Sequence, residues 1–223
     1  MQTPSMEVRA EPARILDPLQ RSSEVLFGLI MVLTFTGSLS VATSSREDVR
    51  AMFLGALGCN LAWGVVDAVM YLSGLLVERG RMLTLGRAVR ASTDPAATRA
   101  YVEHALPEGF GRIVDPAQLD AMAVRIRMLP EPPRFPRLHP RDFAGALSVL
   151  LLVFVSTLPV VLPFLFIQET WRAMRWSNGI AIGMLFWTGY LQAGWGGLRR
   201  LPFAMAMVAL GILLVALTIA LGG

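Results

Sequence analysis

Asp67 lies in the middle of the apolar run Met52–Leu76, with Asn60 seven residues before it and Met70 three after it. An ionisable side chain at such depth in a membrane-length helix costs on the order of 3 kcal/mol or more unless it is partnered or wetted. Asp67 is therefore expected either to make a buried structural bond or to mark a path for something charged. Asn60, Trp63, Asp67 and Met70 recur at offsets of three and four, which places them along one stripe of a helix. A carboxylate, an amide oxygen and a thioether in line suit a divalent transition metal of intermediate softness, since iron and manganese accept oxygen ligands and a thioether adds preference for softer ions. Hydrogen bonds from Asn60 and Asp67 to neighbouring helices, with Met70 as packing, would equally explain these residues.

Glu24 is the second acid of interest. It opens the first apolar run after Arg21, Ser22 and Ser23, and Met31 falls on its face one heptad later. An acid at a helix amino terminus is favoured by the helix dipole, so capping alone would account for it. As a functional group it would sit near the cytoplasmic surface while Asp67 lies deeper, giving an entry and a relay.

These residues need a membrane to position them. With 54% hydrophobic and only 16% charged residues, the 223-residue chain has too little polar surface for a soluble globule of its size. Apolar segments run over Val25–Val41, Met52–Leu76, Phe143–Ile167, Ile180–Gln192 with its flanks, and Leu201–Leu221. Since a crossing takes about 20 helical residues, the expected fold is an all-α integral membrane protein with five transmembrane helices. The first apolar run starts too late for a cleaved signal peptide and reads as an anchor. Cys59, the only cysteine, excludes a disulfide framework and a cysteine metal site.

Orientation follows from arginine, which supplies every positive side chain, lysine being absent. Arg79, Arg81, Arg87, Arg90, Arg99, Arg112, Arg125, Arg127, Arg134, Arg137 and Arg141 lie between the second and third helices, and arginine-rich segments near helix ends stay cytoplasmic. Four segments are expected: residues 1–21 as a cytoplasmic leader with Arg9 and Arg14, 22–76 as helices one and two, 77–141 as a small cytoplasmic helical insert, and 142–223 as helices three to five. The amino terminus would be cytoplasmic and the carboxyl terminus outside. Outer loops would carry Arg46, Arg50, Arg172 and Arg175, balanced in part by Glu47, Asp48 and Glu169.

Within the insert, Met82–Arg90 continues the second helix. Pro95–His104 follows Asp94 as a cap with proline in the first turn, and Pro116–Met128 follows Asp115 in the same way. Glu131–Pro140 is proline-rich and predicts an extended lead into the third crossing. In that crossing Pro159 and Pro163 free carbonyls that line a cavity, or simply bend the helix. Gly179 and Gly183 have the spacing that lets helices approach closely, within the chain or in a homodimer. Trp171, Trp176 and Trp195 suit interfacial aromatic belts. No phosphate loop, nucleophile elbow or histidine–glutamate zinc motif is present, and the only histidines are His104 and His139, so an enzyme is not expected.

Five crossings, Ser23-Glu24 opening the first, a second helix running to Met70-Tyr71-Leu72-Ser73, a cytoplasmic insert, and a third helix reading Leu158-Pro159-Val160-Val161-Leu162-Pro163-Phe164-Leu165-Phe166 together resemble the vacuolar iron transporter family. The resemblance implies a homodimer whose pore, lined by the first two helices of each copy, exchanges ferrous or manganous ions for protons. It places Glu24 where the family has an aspartate followed by glycine, with Val25 replacing the glycine, and Asn60 at the acid or asparagine early in the second helix. Met70 comes later than the family's ion-binding methionine, and Asp67 falls near that methionine's place. The family's insert is a glutamate-rich metal-collecting bundle. Here Glu78, Glu103, His104, Glu108, Asp115, Asp120 and Met128 are scattered among more numerous arginines, which repel an approaching cation.

The leading expectation is a metal/proton exchanger of the bacterial inner membrane. Glu24, Asn60, Asp67 and Met70 would be its metal-contacting residues, iron or manganese its cargo, and membrane lipid and a second copy its partners. No resident cofactor and no nucleic-acid partner are expected. The alternative is a non-transporting membrane scaffold whose arginine-rich insert binds anionic lipid or an acidic partner.

Overall fold

A computed structural model describes residues 16, 18–39, 46–106 and 110–220. Arg9, Arg14, the loop at 40–45 and Glu108 lie outside the described residues, as do the side chains of Arg46, Glu47, Asp48, Arg50 and Arg112. Everything regular among the described residues is helical: α1 (Pro18–Leu39), α2 (Arg46–Ala91), α3 (Pro95–Ala105), a 3₁₀ turn (Phe110–Arg112), α4 (Pro116–Met128), α5 (Pro140–Val161), α6 (Pro163–Phe166), α7 (Thr170–Trp195) and α8 (Arg200–Ala220). Three stretches among them are long and apolar enough to cross a membrane: Leu54–Ala91, Pro140–Phe166 and Arg200–Leu217. With 22 and 26 residues, α1 and α7 have the length, but Glu24, Asn178 and Gln192 make them more polar.

The chain divides into two compact units, residues Met1–Tyr71 with Pro140–Gly223, and Leu72–His139. In the first, α1 packs against α5, α7 and α8, and its Leu29, Val32 and Leu33 are fully buried. They form a core with Ala56 of α2, Val160 and Val161 of α5, and Ala181 and Leu185 of α7. Pro159 is carried inside α5, whereas Pro163 starts the short α6. The α7–α8 turn is a Schellman closure: Leu198 N–H donates to the Ala193 carbonyl at 2.9 Å, with Gly197 left-handed at φ 68°.

Glycine spacing alone did not tell which glycines meet a neighbour. No described residue comes within 4 Å of a Cβ added at Gly179 or Gly183, whereas one at Gly189 would strike Met207 and one at Gly211 would strike Leu185.

In the second unit the expected caps are in place. Asp94 accepts from the Ala96 and Ala97 amides at 2.9 and 3.3 Å, and the Asp115 amide donates to Gln118 Oε1 at 3.0 Å. Val89, Val102, Leu119 and Ala123 make a small core. Residues 130–139 have no helix, so their carbonyls lack helical donors, and buried or half-buried carbonyls left unpaired are costly. Arginines of α2 supply the donors. Arg79 Nη1 donates to the Arg137 carbonyl at 2.7 Å, and Arg87 Nη2 to those of Pro133 and Arg134 at 2.8 and 2.7 Å. Arg90 Nη2 reaches Ile126, Leu129 and Pro130, while Arg127 of α4 reaches back to Val89 and Ser92. The guanidinium fork, with five donors and no acceptor, suits this task.

Arg99 and Asp120 join α3 to α4 through two 2.7 Å bonds. Hydrogen bonding from Arg99 holds the Asp120 carboxyl below the usual aspartate range. A carboxylate so lowered contributes stability above its unfolded value, about pH 4, and loses it as the pH falls through its folded value. Amide protection factors in α3 and α4 are therefore expected to hold from pH 7 to about 5 and to fall in more acid solution, and Asp120→Asn to remove that fall. Arg90→Ala should lower the opening free energy of the same helices by roughly 2 kcal/mol, read by hydrogen–deuterium exchange at pH 7.

Candidate functional site

At the head of α1, the Ser22 and Ser23 hydroxyls fold back onto the Leu19 carbonyl at 2.8 and 3.0 Å, and Gln192 Nε2 of α7 donates to Ser23 Oγ at 3.4 Å. The helix starts at Pro18, six residues before Glu24, so Glu24 stands beyond the first turn, where the dipole effect fades. The expectation that Glu24 opens the helix, with capping as a sufficient explanation, is corrected. Glu24 is a half-buried side chain.

One turn further, Gly28 lets α1 close on α5, since a Cβ there would meet Ser156 Oγ and lie 2.7 Å from the Val153 carbonyl. α2 meets the same pair of helices. Its Trp63 stands edge-on to Phe27 of α1 at 5.9 Å, a Cβ at Gly64 would lie 3.1 Å from the Leu150 carbonyl, and Tyr71 lies over Gly145. Asn60, Gly64, Asp67 and Tyr71 follow at offsets of four, three and four, so they share the face of α2 that these contacts turn toward α1 and α5.

On that face Asn60 is 1% exposed and its Oδ1 has no hydrogen-bond partner among the described residues. Asp67 is half-buried, and its Oδ2 is likewise buried without a partner among them. The bonds to neighbouring helices that would make these two oxygens purely structural are missing within the described chain. Glu24 and Asp67 are close enough to interact electrostatically. The two acids are thus brought together from α1 and α2.

Asn60 lies two turns along, roughly 10 Å by helical rise, too far to share one coordination sphere with Asp67. Met70, 63% exposed, points away from the buried face. The sequence stripe is therefore a series of stations rather than a single cage. Chemically, the arrangement offers carboxylate and amide oxygens that take a proton or face a cation of hard to intermediate character.

Further polar groups join this unit that spacing did not single out. Ser177 Oγ and Gln192 Oε1 of α7 are buried without partners among the described residues, and Asp142, 7% exposed, sits in the first turn of α5. Gln192 was visible only as a polar residue diluting an apolar run.

In the second unit, Asp94 and Asp115 cap helices, Asp120 pairs with Arg99, and Glu103 packs over Gly111. No three His, Cys, Asp or Glu side chains gather into a metal-sized group among the described residues.

Close seating of α1 on α5 is what fixes Glu24. Gly28→Ala should destabilise the protein by about 1–3 kcal/mol through that clash. Gly58→Ala, where no described residue lies within 4 Å of the added Cβ, should not destabilise it and should gain up to about 1 kcal/mol of helix propensity. Thermal unfolding followed by tryptophan fluorescence in detergent checks both.

A family model described as the VIT family matches residues 104–223, which hold the last residues of α3 and all of α4 to α8. Glu24, Asn60, Asp67 and Met70 precede the matched stretch. No curated protein matches the chain.

Proposed function

The chain belongs to the VIT family of membrane metal-ion transporters, and from that membership we propose that it carries iron or manganese out of the cytoplasm in exchange for protons. The observation that carries the proposal is a pair of buried oxygens on one face of α2, Asn60 Oδ1 and Asp67 Oδ2, without partners among the described residues, with Asp67 close enough to Glu24 to interact with it. Orphaned acceptors in a membrane helix are costly unless a mobile ion or proton occupies them part of the time.

In this reading the protein crosses a bacterial inner membrane five times, through α1, α2, α5 with α6, α7 and α8. The amino terminus and the unit at 72–139 are cytoplasmic, and the carboxyl end is outside. The arginines that concentrate between α2 and α5 support that orientation.

The cation is received at Glu24 and passed to Asp67 and then Asn60. On its release, protons from the far side neutralise the carboxylates, so that ion and proton compete for the same oxygens. A second copy completes the pore. Gly179 and Gly183, where no described residue comes within 4 Å of an added Cβ, support a close approach of that copy.

Asp67→Asn keeps the shape and removes the charge. In proteoliposomes loaded with a metal-sensitive dye, it is expected to reduce manganese- or iron-driven flux, and the accompanying proton movement, to background. Flux equal to wild type sinks the mechanism. Asn60→Ala should weaken apparent metal affinity roughly tenfold, the equivalent of about 1.4 kcal/mol.

A further inference from the structure

We propose that the groove between α2 and the proline-rich lead at 133–139 is a binding site for an anionic phospholipid. It has a volume of about 390 Å³ and lies wholly within the second unit. Its lining brings Arg79, Arg137, Glu78 and His139 together with the apolar Met82, Leu83 and Pro136.

The bond from Arg79 Nη1 to the Arg137 carbonyl ties the lead to α2, and both arginines line the groove. The Arg137 guanidinium makes no hydrogen bond or ion pair among the described residues. Its donors are therefore available to a ligand.

The chemistry of the lining selects the occupant. Two guanidiniums and His139 against one carboxylate leave the lining net positive, which suits a phosphodiester, and arginine forks bind phosphate oxygens in pairs. Glu78 accepts hydrogen bonds from hydroxyls, as a glycerol-type headgroup provides.

The apolar lining adds a second requirement that a free phosphate would leave unmet. Val77, directly before the groove on α2, is 72% exposed and continues the apolar surface toward the run ending at Leu76. Arg79 stands three residues beyond that run, roughly 5 Å by helical rise, within the depth of a headgroup layer. Beyond His139 the chain enters α5, the next membrane-length apolar helix.

Native mass spectrometry of the full-length protein, delipidated and then supplied with phosphatidylglycerol or phosphatidylcholine, tests the site. Wild type is expected to retain phosphatidylglycerol preferentially, and Arg137→Gln to cut that retention roughly fivefold. Arg125→Gln, on an exposed position of α4, is expected to leave it unchanged. Equal retention of the two lipids, equal retention by wild type and Arg137→Gln, or displacement of phosphatidylglycerol by millimolar inorganic phosphate would each overturn the proposal.

Discussion

The first unit carries one electrostatic constraint: on the inner face of α2, Asn60 Oδ1 and Asp67 Oδ2 are buried with no hydrogen-bond partner among the described residues. In a soluble protein such oxygens would turn outward or find a donor. Here the face is closely packed, a Cβ at Gly64 lying 3.1 Å from the Leu150 carbonyl and Tyr71 seated over Gly145. Close packing holds the acids in place without neutralising them. The same close packing brings α1 near enough for Glu24 to feel Asp67, so that fixing the helices and keeping the oxygens unsatisfied are one structural fact.

What the sequence made legible was local. Asp94-Pro95 and Asp115-Pro116 each announce a cap and a first-turn proline, and α3 and α4 begin there. The uninterrupted pattern through Met82–Arg90 announced the long extension of α2. The chain matches the VIT family, in keeping with the resemblance drawn from its proline-bracketed helix and layout. Asp17-Pro18 repeats the same aspartate–proline signal, and α1 begins at Pro18, which leaves Glu24 too far along the helix to cap it.

Non-local roles were out of reach for a physical reason. Hydrophobic periodicity gives the spacing of a face but not what the face meets, so Gly179 and Gly183 looked like packing glycines while Gly28, Gly189 and Gly211 performed that role. Arginine likewise gave only its charge. That Arg87 and Arg90 bind carbonyls more than thirty-five residues away could not be read from composition, because a backbone acceptor has no sequence signature.

The arginine–carbonyl contacts also decide how the second unit is held together. A bundle built around clustered glutamates needs cations to offset their mutual repulsion. This one meets its extended carbonyls with guanidiniums and spends its acids on caps and the Arg99 pair. Carbonyls accept hydrogen bonds without cancelling charge, so the unit remains positive, a field that disfavours cations and favours anions. In the proposed orientation that field lies on the cytoplasmic side. Collecting metal ions there works against it, whereas holding a lipid phosphate works with it. In the proposed exchanger, cation selection then rests with Glu24 and Asp67 of α1 and α2, and Asp67 Oδ2 is buried with no partner among the described residues.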